Sequence, residues 1–152
     1  MVVETRVFGT VEISDEKIIT FPGGIIGFPD LKQFTLLYDE TKPQAAIKWL
    51  QSLDDADFAI PVINPYIVKQ DYNPMVEDEM MASLGDLNPE EILVLVTVSV
   101  PSDLTQMTVN LQAPIIVNVE NRKACQLIVD NKDGEYQLKF PIYDILQKNK
   151  ER

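Results

Sequence analysis

The chain has 152 residues, 45% of them hydrophobic, and a formal net charge of −11 from 24 acidic and 13 basic side chains. That length suits one domain, residues 1–152, with a core that needs no staples. The charge sets phosphates and anionic membrane surfaces against the chain, so direct nucleic-acid and membrane partners are not expected, and a basic protein partner is favoured.

Strand alternation begins at once. Val3, Thr5 and Val7 alternate with Glu4, Arg6 and Phe8, and Val11 and Ile13 resume the pattern after Gly9, which reads as a bulge or bend. The same segment lacks the continuous apolar core of a signal peptide, so a cytoplasmic location is expected. Residues 15–17 read as a turn before a strand at 18–21. The stretch FPGGIIGFPD, 21–30, fails as a nucleotide loop because Pro22 holds the place of the first glycine in G-x-G-x-x-G. It reads instead as a strand-terminating turn, with Gly23, Gly24 and Gly27 available for positive φ. Residues 29–34 have the makings of one helical turn.

Further strands are predicted at 34–39, 47–52, 57–63, 65–70, 92–100, 107–112, 114–120, 124–130 and 136–140. The longest apolar run, 92–96, is strand-length and far short of a membrane span. Residues 75–84 suit either helix or loop. Asn88-Pro89-Glu90-Glu91 carries N-cap and first-turn residues. Asn131-Lys132-Asp133-Gly134 is a hairpin turn by its chemistry. A short C-terminal helix is predicted at 142–149, with Lys148 suited to its end. The expected fold is all-β: a compact, antiparallel, barrel-like arrangement of short strands with a few short helical turns.

Catalytic chemistry finds little to stand on. The chain has no histidine, which removes imidazole catalysis and the commonest zinc ligands. The single Cys125 cannot make an internal disulfide or a thiolate cluster, and reads as a small core or strand residue. Asp54, Asp55 and Asp57 sit between two predicted strands, where aspartate is a natural turn residue, and they lack the glycine and spacing of a calcium loop. No catalytic set, metal or cofactor is expected. An acidic β-domain that binds sugar or peptide, or hydrolyses through dispersed carboxylates, stands as the alternative.

The charge is unevenly placed. Between Lys69 and Arg122 there is no lysine or arginine, while nine carboxylates fall there. Within that stretch Asp71, Tyr72, Met75, Glu77, Asp78, Glu79 and Met80 mix acidic and adaptable apolar side chains, as protein-binding surfaces do. They are the expected contact residues, with Asp54 and Asp55 beside them.

Three segments, FGTVEISDEKIITFPGGIIGFPDLKQFTLL at 8–37, WLQSLDDADFAIPVINPY at 49–66 and MTVNLQAPIIVN at 107–118, together resemble the flagellar assembly factor FliW family. The resemblance implies a non-enzymatic, all-β, cytoplasmic protein, expected here as a monomer, that switches between two protein partners. One is flagellin. The other is the carbon-storage regulator, a small basic RNA-binding protein that represses flagellin translation. Binding of the second partner would lift that repression, so that translation follows flagellin export. From its own alternation, the 107–118 string reads as core architecture, with Pro114 bending the strand.

Overall fold

The computed structural model describes residues 1–38, 41, 46–74, 78–131 and 134–150, excluding the side chains of 78, 80 and 150. Strands β1 (Val2–Thr5) and β2 (Gly9–Glu12) form an antiparallel hairpin. The bend expected at Gly9 is therefore a full reversal. Three residues make the loop, Gly9 closes it at φ +67°, and the Phe8 N–H donates to Thr5 Oγ1 at 3.0 Å.

A 3-10 turn at Asp15–Lys17 leads into the short β3 (Ile19–Thr20). Then follow β4 (Gln33–Leu37), β5 (Lys48–Ser52) and β6 (Ala59–Ile63), each antiparallel to the one before. The long β7 (Ile92–Ser99), β8 (Thr108–Val109), β9 (Ile115–Asn118), β10 (Lys123–Gln126), β11 (Phe140–Pro141) and helix α1 (Tyr143–Lys150) complete the order.

The sheet closes on itself through β7. One edge of β7 pairs with β6, and the other pairs with β8 and then β9. β9 pairs with β10, and β10 meets β3 in a single parallel step, Lys123 opposite Thr20. The ring β3-β4-β5-β6-β7-β9-β10 is thus a closed barrel, antiparallel except at that step.

Closure depends on the residues between β8 and β9. Val98 faces Val109, but Leu95 faces Ile115, so five residues, 110–114, stand opposite only Val96 and Thr97. This large bulge bends the chain from β8 into the barrel wall. Its polar groups are satisfied locally. Asn110 N–H donates to Thr97 O at 3.1 Å, Asn110 Oδ1 accepts from Gln112 N–H at 2.9 Å, and the Leu111, Gln112, Ala113 and Pro114 carbonyls each accept a bond. The bend foreseen at Pro114 is present.

Apolar side chains fill both sides of β7. Inside the ring, Phe21, Phe34, Leu50, Val62, Leu95, Ile115 and Val117 form one core. Outside it, Ile63, Val96, Val98, Val109 and Leu111 are covered by Val68, Tyr72, Tyr136 and Ile142. This two-sided burial explains why 92–96 is continuously apolar rather than alternating.

Two expected elements differ. Residues 65–70 are not a strand: Asn64 Oδ1 accepts from Tyr66 N–H at 3.0 Å and caps a 3-10 turn, Pro65–Ile67, which the Asn-Pro pair favours. Of 136–140, only Phe140 joins a strand. The reversal before it does form, with Gly134 N–H donating to Asn131 O at 3.0 Å, but the Asn131 side chain rather than a ladder holds Tyr136; Lys132 and Asp133 lie outside the described residues. At 29–34 a single hydrogen-bonded turn forms, Leu31 N–H to Phe28 O at 3.2 Å, and it does not extend into a helix because Phe21 N–H donates to Lys32 O and continues the β3–β4 pairing.

The glycine stretch is a plug in the barrel wall. Gly24 and Gly27 have φ of +70° and +88°, whereas Gly23 does not enter that region. A Cβ on Gly24 would lie 2.5 Å from the Pro29 carbonyl oxygen, while one on Gly27 would meet nothing within 4 Å. Gly27→Ala therefore carries only the left-handed backbone cost, about 1–2 kcal/mol. Gly24→Ala adds a backbone clash, and urea denaturation should show it less stable than Gly27→Ala by at least about 1 kcal/mol.

Candidate protein-binding surface

The aspartates at 54–57 are bound into the β5–β6 connection. Asp54 Oδ2 accepts from Lys32 and Gln33 N–H at 2.8 and 3.0 Å, tying this connection to the start of β4. Asp55 Oδ1 accepts from Asp57 N–H, and Ser52 Oγ accepts from the Asp54 and Asp55 N–H groups. The loop is organised from beneath by buried Gln51. Its Nε2 donates to the Ser52, Ala56 and Phe58 carbonyls, and its Oε1 accepts from Arg6 N–H, which docks the β1–β2 hairpin. Trp49 is half-buried beneath the Arg6 guanidinium, whose carbon lies 5.9 Å from the ring centroid. In the alternation of 47–52, Gln51 carried no signal beyond an ordinary polar strand position.

The residues foreseen at 71–80 do not form one exposed group. Asp71 is exposed and pairs with Lys69 Nζ at 3.1 Å, a surface pair of small energetic consequence. Tyr72 is a correction. Only 2% exposed, it stacks edge-on against Tyr136 with ring centroids 5.2 Å apart, and its hydroxyl donates to Leu111 O at 2.7 Å. It braces the closing bulge rather than offering a contact surface. Glu79 is exposed on a 3-10 segment, Asp78–Leu84. Met75 and Glu77 lie outside the described residues, as do the side chains of Asp78 and Met80.

The fold brings other acidic residues to that segment. Asn118, buried at the end of β9, donates through Nδ2 to the Leu84 and Asp86 carbonyls at 2.9 and 3.1 Å. Asn121 Nδ2 also donates to Leu84 O, and Val119 N–H donates to Glu91 O. These bonds draw the 3-10 turns at 78–84 and Pro89–Glu91 onto the β9–β10 turn. Asp86, Glu90, Glu91 and Glu120, all exposed, lie in the segments that these bonds join, and the β9–β10 turn also carries the exposed Val119, Arg122 and Lys123. Exposed carboxylates gathered from two segments beside an exposed apolar residue suit contact with a basic protein. These carboxylates are among the nine between Lys69 and Arg122, and Asn110 and Asn118 are read from the sequence as side chains that bond backbone or a partner strand, as both do; the segment that Asn118 binds carries no local signal.

Among the described residues, no group of three or more His, Cys, Asp or Glu is placed to hold a metal ion, and no buried side-chain nitrogen or oxygen lacks a hydrogen-bond partner. Asp103 is held below the usual carboxylate range by bonds from the Thr105 hydroxyl and N–H, the environment of a turn cap. Burial pushes the Cys125 thiol up, favouring its protonated form. No helix among the described residues is long and apolar enough to cross a membrane.

Comparison with known proteins decides the family. The family model described as FliW protein matches residues 2–142. The chain belongs to the FliW family. A flagellar assembly factor FliW from Lachnospira eligens is 49% identical over 150 residues, covering 97% of this chain and 98% of that protein. One from Lachnoclostridium phytofermentans is 48% identical over 148 residues, covering 97% and 94%. A crystal structure of the flagellar assembly factor FliW superposes with a TM-score of 0.84 at 28% identity, covering 94% of this chain and 97% of the other. The barrel described above is thus the FliW fold, and this FliW-family chain is a flagellar assembly factor.

Tyr72 yields a pH test. Burial, with the Tyr136 and Tyr66 phenols alongside, raises its phenol well above the ordinary value of about 10. A group raised in the folded chain lends stability that is complete below the unfolded value and is lost as pH rises toward the folded one. Tyr72→Phe should cost about 1–2 kcal/mol at neutral pH by leaving Leu111 O without this donor. It should also flatten the fall in stability above about pH 10, measured by denaturation across pH.

Proposed function

We propose that this FliW-family protein acts in the cytoplasm without catalysis, binding flagellin and, in its absence, the carbon-storage regulator, so that flagellin translation follows export. The observation that carries the proposal is the joining of the exposed-carboxylate segments 86–91 and 118–121 by the Asn118 amide and the Val119 N–H, on a chain of net charge −11. A basic RNA-binding protein meets such a surface with long-range attraction, which raises the encounter rate and helps select the partner. Family membership supplies the flagellar context, and the closed barrel supplies a stiff platform. Antagonism by stoichiometric binding needs only a surface, and a surface is what the acidic end offers.

The two partners compete in this scheme for the chain. A chain of this size has room for about one or two interfaces of roughly 800 Å² per partner, which favours overlapping sites over separate, coupled ones. Calorimetric titration of the regulator into the protein should show an apparent dissociation constant that rises in proportion to added flagellin, without a plateau. A plateau would mean separate, coupled sites, and a stable ternary complex with unaltered affinities would refute partner switching. In the same titration, Glu90→Lys, Glu91→Lys and Glu120→Lys together should weaken regulator binding by about tenfold or more and reduce its salt dependence. Unchanged binding in that folded variant would move the interface off the acidic end.

A further inference from the structure

Among the described residues, β4 has no strand neighbour on its far edge beyond its short pairing with β3. β3 pairs with β4 only at Ile19–Phe34 and Thr20–Gln33, and the ladder stops at the 3-10 turn Asp15–Lys17, where the Thr35 hydroxyl donates to Lys17 O at 3.0 Å. β4 runs on through Thr35, Leu36 and Leu37 against β5. The Leu53 N–H to Gln33 O bond shows that odd positions of β4 point their backbone groups at β5. Leu36 therefore points its N–H and C=O groups the other way, past the end of β3.

A second edge lies across the gap. Ile13 and Met1 exchange backbone bonds at 2.8 and 2.9 Å, so odd positions of β2 face β1, and Thr10 and Glu12 face outward. Between the two edges is a groove of about 640 Å³, lined by Phe8, Val11, Ile13, Leu36 and Tyr38 with Glu12 and Lys17. Asp15 and Glu16 are exposed on the adjoining turn. Unpaired strand edges beside apolar walls invite a further strand.

We propose that this groove receives an extended segment of a partner protein, which adds a strand to the Leu36 edge of β4 and alternates apolar residues with lysine or arginine. Its apolar side chains lie against Phe8, Val11 and Leu36, and its cations pass the carboxylates of Glu12, Asp15 and Glu16. The backbone pairing supplies affinity, and the alternation supplies choice of sequence. The site is distinct from the acidic end around Val119 and does not depend on the partner-switch proposal.

The test is amide hydrogen exchange with a blocked peptide of about six alternating valine and lysine residues. Saturating peptide should slow exchange at Leu36 by about tenfold and leave Leu37, already bonded to β5, unchanged. Glu12→Lys, at an exposed position, should weaken binding by several-fold while the free protein's exchange pattern stays the same. A peptide of the same sequence with methylated backbone nitrogens keeps the charges but not the donors, and should give no protection. Equal protection by the methylated peptide, or protection only at other residues, would overturn the proposal. So would absence of any protection, or protection of Leu36 that grows with protein concentration alone, which would make the occupant a second copy of this chain.

Discussion

Everything in this fold hangs on β7 having partners along both edges. Its eight residues meet β6 on one side, and β8 and β9 in succession on the other. The second edge can serve two strands only because residues 110–114 loop out between them. Such a loop places several backbone polar groups inside the protein, and each would cost about 1–3 kcal/mol if left without a partner. The chain answers with bonds from distant segments. Tyr72, Leu127, Val129, Gln126 and Gln112 all donate into or out of this loop. The bulge is thus the point where the 65–72 turn, the β10 extension and the Tyr136 segment are tied to the barrel.

The acidic end follows from the same closure. Because β9 runs beside the start of β7, Asn118 arrives next to the 3-10 turns that precede β7, and its amide binds their carbonyls. The segment with carboxylates at 86, 90 and 91 is thereby joined to the turn that carries Glu120, although β7, β8 and β9 lie between them in sequence. At the other flank the ring is less complete. β3 is two residues long, and the hairpin that precedes it lies apart from the main sheet, so β4 keeps an unpaired edge. Two surfaces of different kind thus result from one topology, one electrostatic and one built on exposed backbone groups.

Alternation made most strands legible, since one side chain in two faces a core. The FliW resemblance rested on strings whose structural reasons are now visible: the plug at 21–30, the Asp54 clamp and the 110–114 bulge. What escaped was set by contacts far apart in sequence. The segment 65–70 carries apolar residues enough for a strand, yet the cap from Asn64 outweighs them. Tyr72, set among acids, looked like a surface residue until Leu111 and Tyr136 closed around it. Gln51 sits at a position where any polar residue continues the pattern, and nothing local marks it as a buried amide that organises a loop, while the backbone bonding expected of Asn118 is present but its partners at 84 and 86 are not written in the string around it. The barrel's closing pair, β7 with β9, is a matter of register between segments some twenty residues apart, and hydrophobic period does not encode it.

If closure through β7 is the constraint on which the fold depends, its two edges must open together. Native-state hydrogen exchange in low denaturant reads this directly at Leu95, which is paired with Ile115 on the β9 edge, and at Val96, which is paired with Ile63 on the β6 edge. Both amides are expected to exchange only through global unfolding, with the same free energy and the same denaturant dependence. Exchange of Leu95 through a smaller opening, while Val96 still waits for global unfolding, would show that the barrel stands without its closing strand and would contradict that dependence.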